Sequence, residues 1–288
     1  MNSCYAPNVA GYEAVLVIGK AAECGFGVLQ SSLLLHCDWF LSFHCMLDRD
    51  QLMRAVQLTR RSQTYRMQLQ ALSAIVQFIR PTRYLEVGAF EGRSALLFSS
   101  LSAIQELVYP VHVTSVDSWQ GGDEHQQEGL AMGPIEATFD EVIQVCRSWL
   151  PVESRFEKLK SLSTAALADL RERHGYYDLI LIDAGHKAKD VLQDLVYAWP
   201  LLKPRGVMIL DDYTWVPKHE VGDRLLHAPK LGIDAFCSCF SDEITILSNL
   251  PLLQLYLLKE SPLGKHYQAI GLEMPDLHPL FEGVGLVE

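Results

Sequence analysis

The sequence predicts an α/β protein with a doubly wound, mostly parallel seven-stranded sheet, an antiparallel C-terminal pair and a helical N-terminal appendage. Three observations carry this. From Arg83 onward short apolar runs alternate with amphipathic segments, the pattern of a parallel sheet covered by helices on both faces. A glycine-bearing turn in YLEVGAFEGRSALLF joins the first apolar run to a helix. The last two apolar runs, Ile233 to Phe240 and Leu252 to Leu258, are separated by turn-forming residues with no long helical pattern, so they are expected to pair antiparallel. With 288 residues, 49% of them hydrophobic, the chain can bury a full core, and one main domain with an appendage is the economical arrangement.

The elements follow in order. Residues 1–64 contain cysteine and histidine and are expected to be helical, a lid or an oligomerisation region; Asp48 to Ile79 has room for one or two helices, which Pro81 stops. The main domain is expected over 65–262, with strands at 83–87, 111–116, 154–159, 178–183 and 206–211. Between the second and third strands, Ile135, Phe139, Val142, Ile143, Cys146 and Trp149 recur on one face of a 3.6-residue period. Cys237 and Cys239, two apart on the expected sixth strand, should face one side and pack in the core. The tail, 263–288, is rich in glycine and proline and is expected to lie over the surface.

Composition excludes several classes. The chain has 24 basic and 35 acidic residues, a net charge of −11, and no basic run, which argues against nucleic acid as partner. Seven cysteines without a framework spacing suggest a reducing, cytoplasmic setting. The pairs His36-Cys37 and His44-Cys45 do not have structural zinc spacing and read as apolar filling. The first residues lack a charged region followed by an apolar one, and Val28 to Leu47 is interrupted by His36, Asp38 and His44, so neither a signal peptide nor a membrane span is expected. A helical appendage suits contact between identical subunits.

Chemistry concentrates at the ends of strands. LILIDAGHK ends the fourth with Asp183 and His186; VMILDDY ends the fifth with Asp211 and Asp212, 28 residues after Asp183. Neighbouring strands lie about 4.8 Å apart, so Asp183, Asp211 and Asp212 would crowd one small volume. Crowded carboxylates raise a pKa or recruit a cation; an all-oxygen set favours Mg2+, with His186 beside it as a base and Lys187 as second candidate. At the first strand, Gly88 and Gly92 permit a tight turn and close approach to a ligand, Glu86 precedes the turn and Ser94 opens the helix. Asp117 ends the second strand, where an acid can accept from both hydroxyls of a ribose. Phe90 stands where a dinucleotide fingerprint needs its central glycine, and there is no P-loop. The ligand these acids suit is a cationic nucleoside.

Taken together, the E-x-G-x-x-x-G turn, the acid ending strand two, LILIDAGHK and LKPRGVMILDDY resemble a class I S-adenosylmethionine-dependent methyltransferase, Rossmann-like in fold. Within that class the chain is similar to the metal-dependent O-methyltransferases of the macrolide-sugar type, over roughly residues 80–260. The resemblance implies that Glu86, Gly88, Gly92 and Ser94 serve the cofactor around its methionine part, Asp117 its ribose and Trp119 its adenine. It also implies that Asp183 serves cofactor or metal. Catechol-type relatives carry a lysine three residues after the first metal aspartate; here His186 stands there, similar to the sugar-modifying branch. WQGGDEH is similar to methyltransferases of glycan and natural-product pathways. The implied reaction is metal-assisted methylation of a hydroxyl on a sugar-containing or other natural product, with His186 taking the proton. Tyr213, Trp215 and His219 are candidates to line the acceptor pocket, and residues 1–64 or the 119–134 loop to cover it. A metal-free O- or N-methyltransferase, or a cofactor-binding scaffold without turnover, is the alternative.

Overall fold

The computed structural model describes Leu47 and residues 49–104, 109–217, 224–260, 270–282 and 286–287. The readings placed on His36, Cys37, His44, Cys45 and His219 lie outside these residues. Residues Cys45–Glu288 form one compact unit.

Helix α1 (Arg49–Leu58) buries Leu52, Ala55 and Val56, and α2 (Arg66–Ile79) buries Leu69, Ala71, Ser73, Ala74, Ile75 and Val76. Helix α2 ends where Arg80 turns left-handed at φ 45°, one residue before Pro81, whose ring disfavours helical geometry behind it. The sheet then begins. Its strands are β1 (Arg83–Val87), β2 (His112–Asp117), β3 (Arg155–Lys160), β4 (Tyr177–Ile182), β5 (Leu202–Leu210), β6 (Ile244–Ile246) and β7 (Leu255–Lys259). They lie in the order β3-β2-β1-β4-β5-β7-β6. The first five are parallel; β7 runs antiparallel between β5 and β6.

Helices α3 (Arg93–Ile104), α4 (Asp123–Gln127), α5 (Met132–Trp149), α6 (Ser163–Asp169), α7 (Ala188–Ala198) and α8 (Pro229–Cys239) complete the fold. One core lies where α1, α2, α3 and α5 cover the sheet, and a second where α6, α7 and α8 cover the other face. The buried stripe of α5 is Ile135, Phe139, Val142, Ile143, Cys146 and Trp149, the face its 3.6-residue period predicts. In the tail, Leu272 and Phe281 add to the first core, and Tyr65 bridges Val287.

One expected strand is a helix. Ile233 to Phe240 falls in α8 apart from its last residue, and the strand that pairs with β7 is the shorter Ile244–Ile246. Its apolar residues recur at helical spacing, Ile233 and Phe236 being fully buried, and Pro229 opens the first turn where its missing N–H costs nothing. Cys237 and Cys239 therefore point about 200° apart around a helix rather than to one side of a strand. Cys237 is half-buried and Cys239 exposed.

Candidate active site

Strand register builds the site. Val87 is paired with both Val116 and Ile182, and Ile182 with Leu210, so the next residue on each strand falls on one row along the carboxyl edge. That row is Asp117, Gly88, Asp183 and Asp211. Backbone bonds fix it: Gly88 N–H donates to Val116 O at 2.8 Å, Asp183 N–H to Val87 O at 2.8 Å and Asp211 N–H to Ile182 O at 3.0 Å. The strand order reverses between β1 and β4, the crevice where open α/β sheets bind ligands.

Gly88 has to be glycine: its φ is +99°, and a Cβ there would sit 1.9 Å from the carbonyl oxygen of Asp183. The turn after it is tied to Asp117, whose Oδ2 accepts Phe90 N–H at 2.9 Å and whose Oδ1 accepts Trp119 N–H at 2.7 Å. Gly88, Ser94 and Asp117 line a cavity of about 1070 Å³; Glu86, Gly92 and Trp119 do not. Glu86 is fully buried on β1, its carboxylate accepting Ser115 Oγ–H at 2.6 Å and Tyr84 O–H at 3.4 Å. Burial pushes its pKa up to about 8. Gly92, at φ +83°, packs against α5, where an added Cβ would lie 3.1 Å from Phe139 Cδ2. Trp119 is buried against Phe139 and donates its indole N–H to Phe90 O at 2.9 Å. Glu86, Gly92 and Trp119 pack around the turn rather than on the cavity wall. The aromatic pair on the cavity wall is instead Phe90 and His125, stacked at 5.0 Å.

Beside the turn, Asp183, His186 and Asp212 offer one ligand atom each, all within 4.8 Å of one another. His186 Nε2 lies 2.9 Å from Asp212 Oδ2. Burial and then the charges of Asp211 and Asp212 hold the Asp183 carboxyl well above the usual range. Burial and Asp212 raise Asp211 to about 6. Asp211 Oδ1 accepts Asp212 N–H at 2.8 Å and Gln68 Nε2–H at 3.3 Å, and Asp211 lines the cavity beside the cluster of Asp183, His186 and Asp212. The carboxylates of Asp183 and Asp212 fit a hard divalent cation, with the imidazole of His186 beside them. Lys187 lines the cavity just before α7. Trp215 also lines it and packs on His186 at 4.4 Å, whereas Tyr213 turns away and bonds Asp234 Oδ1 at 2.9 Å.

The sequence reading missed the wall supplied from outside the strand–helix units. Residues 61–64, Gln68, Leu69 and Leu72 from the N-terminal side and Gln254 ahead of β7 all line the cavity. The one local signal was at the start of α2, where Gln68 Oε1 accepts Tyr65 N–H at 3.0 Å as a helix cap. No helix among the described residues is long and apolar enough to cross a membrane.

Residues 85–213 match the profile of a family described as a methyltransferase domain. Over these residues the chain is similar to a methyltransferase domain. Solved structures share this fold at low identity. The O-methyltransferase TomG of Streptomyces achromogenes, involved in tomaymycin synthesis and solved with S-adenosylmethionine, is 16% identical. Its match covers 78% of this chain and 95% of that one, with a TM-score of 0.51. A methyltransferase of Podospora anserina bound to S-adenosylhomocysteine is 15% identical over 82% of this chain and 100% of its own, TM-score 0.51. The O-methyltransferase NovP is 14% identical over 74% and 98%, TM-score 0.50. No curated protein matches the chain at a comparable level.

Proposed function

We propose that the protein transfers the methyl group of S-adenosylmethionine to a hydroxyl oxygen of a small molecule, with a divalent ion assisting and His186 as general base. The observation that carries this is the placement of Asp183, His186 and Asp212 within 4.8 Å of one another, with Asp183 on the same strand-end row as the glycine turn. The names of similar folds, one an O-methyltransferase of tomaymycin synthesis, favour a natural-product acceptor, sugar-containing or otherwise.

When bound, the cofactor supplies an electrophilic methyl and the ion lowers the pKa of an acceptor hydroxyl. Asp117 would hold the donor by its ribose and Gly88 by its methionine part, and Asp183 and Asp212 would hold the ion. Asp212 also orients the imidazole. In the tautomer that donates Nε2–H to Asp212, Nδ1 is the basic nitrogen and receives the hydroxyl proton as the O–C bond forms and the S–C bond breaks. Charge is neutralised in this step, so water exclusion accelerates it, and Trp215 against His186 provides an apolar wall.

The experiment is S-adenosylhomocysteine release with a panel of hydroxylated glycosides, with and without chelator, for the native protein and His186→Asn. Release that needs both the metal and His186 supports the proposal; release from no hydroxyl acceptor defeats it. The dyad of His186 and Asp212 also favours a second reading, metal-free transfer to oxygen or nitrogen. Full activity after exhaustive chelation, lost in Asp212→Asn, would select that one.

A further inference from the structure

The first turn of α3 carries a buried cation that the fold uses only in part. Arg93 is 5% exposed and lines the cavity beside Ser94. Its Nη2 donates to the carbonyls of Val56 at 3.1 Å and Thr59 at 2.8 Å, at the end of α1. Its Nε and Nη1 are buried with no hydrogen-bond partner. A buried donor left in that state is costly, and more so when it is charged. Glu91 supplies a neighbouring charge but no bond. Its Oε2 accepts the N–H groups of Arg61 and Ser62, at 3.0 and 3.1 Å, and the Ser62 hydroxyl at 3.3 Å.

Charge around the cavity identifies the missing acceptor. Asp117, Asp183, Asp190, Asp194 and Asp211 line it, and Arg93 is the one buried cation on its wall among the described residues. S-adenosylmethionine carries a sulfonium, an ammonium and one anion, the α-carboxylate. The acids suit the two cations. The carboxylate belongs where a buried guanidinium with two unpartnered nitrogens and the Ser94 side chain meet at the cavity wall. We propose that Arg93 recognises the α-carboxylate of the cofactor's methionine half, an inference that rests on the cofactor reading above.

The test compares equilibrium binding of S-adenosylhomocysteine, which has the carboxylate, with that of methylthioadenosine, which lacks it, on the native protein, Arg93→Met and Arg93→Lys. Arg93→Met is expected to weaken S-adenosylhomocysteine about tenfold to a hundredfold while methylthioadenosine stays within about twofold, and Arg93→Lys to lose less. Equal losses for both ligands would make the role purely structural and overturn the proposal. So would no loss for either, the result expected if a carboxylate of the acceptor were the true partner. Should Arg93→Met not fold, the native protein decides: it must bind S-adenosylmethionine at least about tenfold more tightly than the decarboxylated form, and equal affinity overturns the proposal. A native protein that binds none of these nucleosides removes the cofactor reading itself.

Discussion

Glu86→Gln should make the protein more stable in alkali, and the size of the effect follows from where Glu86 sits. Its side chain is fully buried on β1 with hydroxyl donors from Ser115 and Tyr84, and burial raises its pKa from an ordinary 4.5 to about 8. Below pH 4.5 both folded and unfolded chains hold the proton, and the acid is a neutral core group. As pH rises toward 8 the unfolded chain releases it while the folded chain keeps it, so folding loses about 1.4 kcal/mol per pH unit from this one group. Above 8 the loss is complete, with a ceiling of about 5 kcal/mol. Glutamine has nearly the same shape and still accepts from Ser115, but it does not titrate. Urea unfolding of both proteins at pH 5 and pH 9 isolates the effect, because every other titrating group cancels in the comparison. The two should be close at pH 5, and Glu86→Gln should be the more stable by at least about 2 kcal/mol at pH 9. A gap of the same size at both pH values would refute the reasoning.

Other substitutions separate the site from its support. Gly88→Ala places a Cβ 1.9 Å from the Asp183 carbonyl at φ +99°, so it should cost about 3 kcal/mol or more and abolish S-adenosylhomocysteine binding, read by thermal denaturation and calorimetry. Gly232→Ala puts a Cβ 2.2 Å from the Ala188 carbonyl between α8 and α7; it should lower the melting temperature while the folded fraction binds normally. Trp119→Phe removes the indole bond to Phe90 O, a loss of about 1 kcal/mol, and should leave cofactor affinity within about twofold; a tenfold loss would restore Trp119 to the adenine site. Asp211→Asn should stabilise the metal-free protein increasingly as pH rises through about 6, where the native acid is forced to ionise beside Asp212; an unchanged difference between pH 5 and pH 7.5 would count against that crowding.

Much of the site was legible because strand ends are. An apolar run that stops at an acid places that acid on the carboxyl edge, and the 28 residues from Asp183 to Asp211 fit one helical crossover, so their adjacency followed before any coordinates. Ile233 to Phe240 was misread because a short apolar run bounded by turn residues suits either element, and packing of Gly232 on Ala188 decides for the helix. Gln68 escaped notice because its contact with Asp211 joins residues 143 positions apart, and nothing local announces it.

By itself the sequence determined which residues reach the crevice: Gly88, Asp117, Asp183 and Asp211 are set there by period and register. Only the tertiary structure decided which way each one turns. Glu86 and Trp119 go inward to Ser115 and Phe139, Asp211 goes to Gln68, and His186 comes to Asp183 and Asp212. The reason is physical. Backbone geometry fixes position within a few residues of chain, whereas the direction of a side chain depends on neighbours delivered by distant segments, and those exist only once the chain has folded.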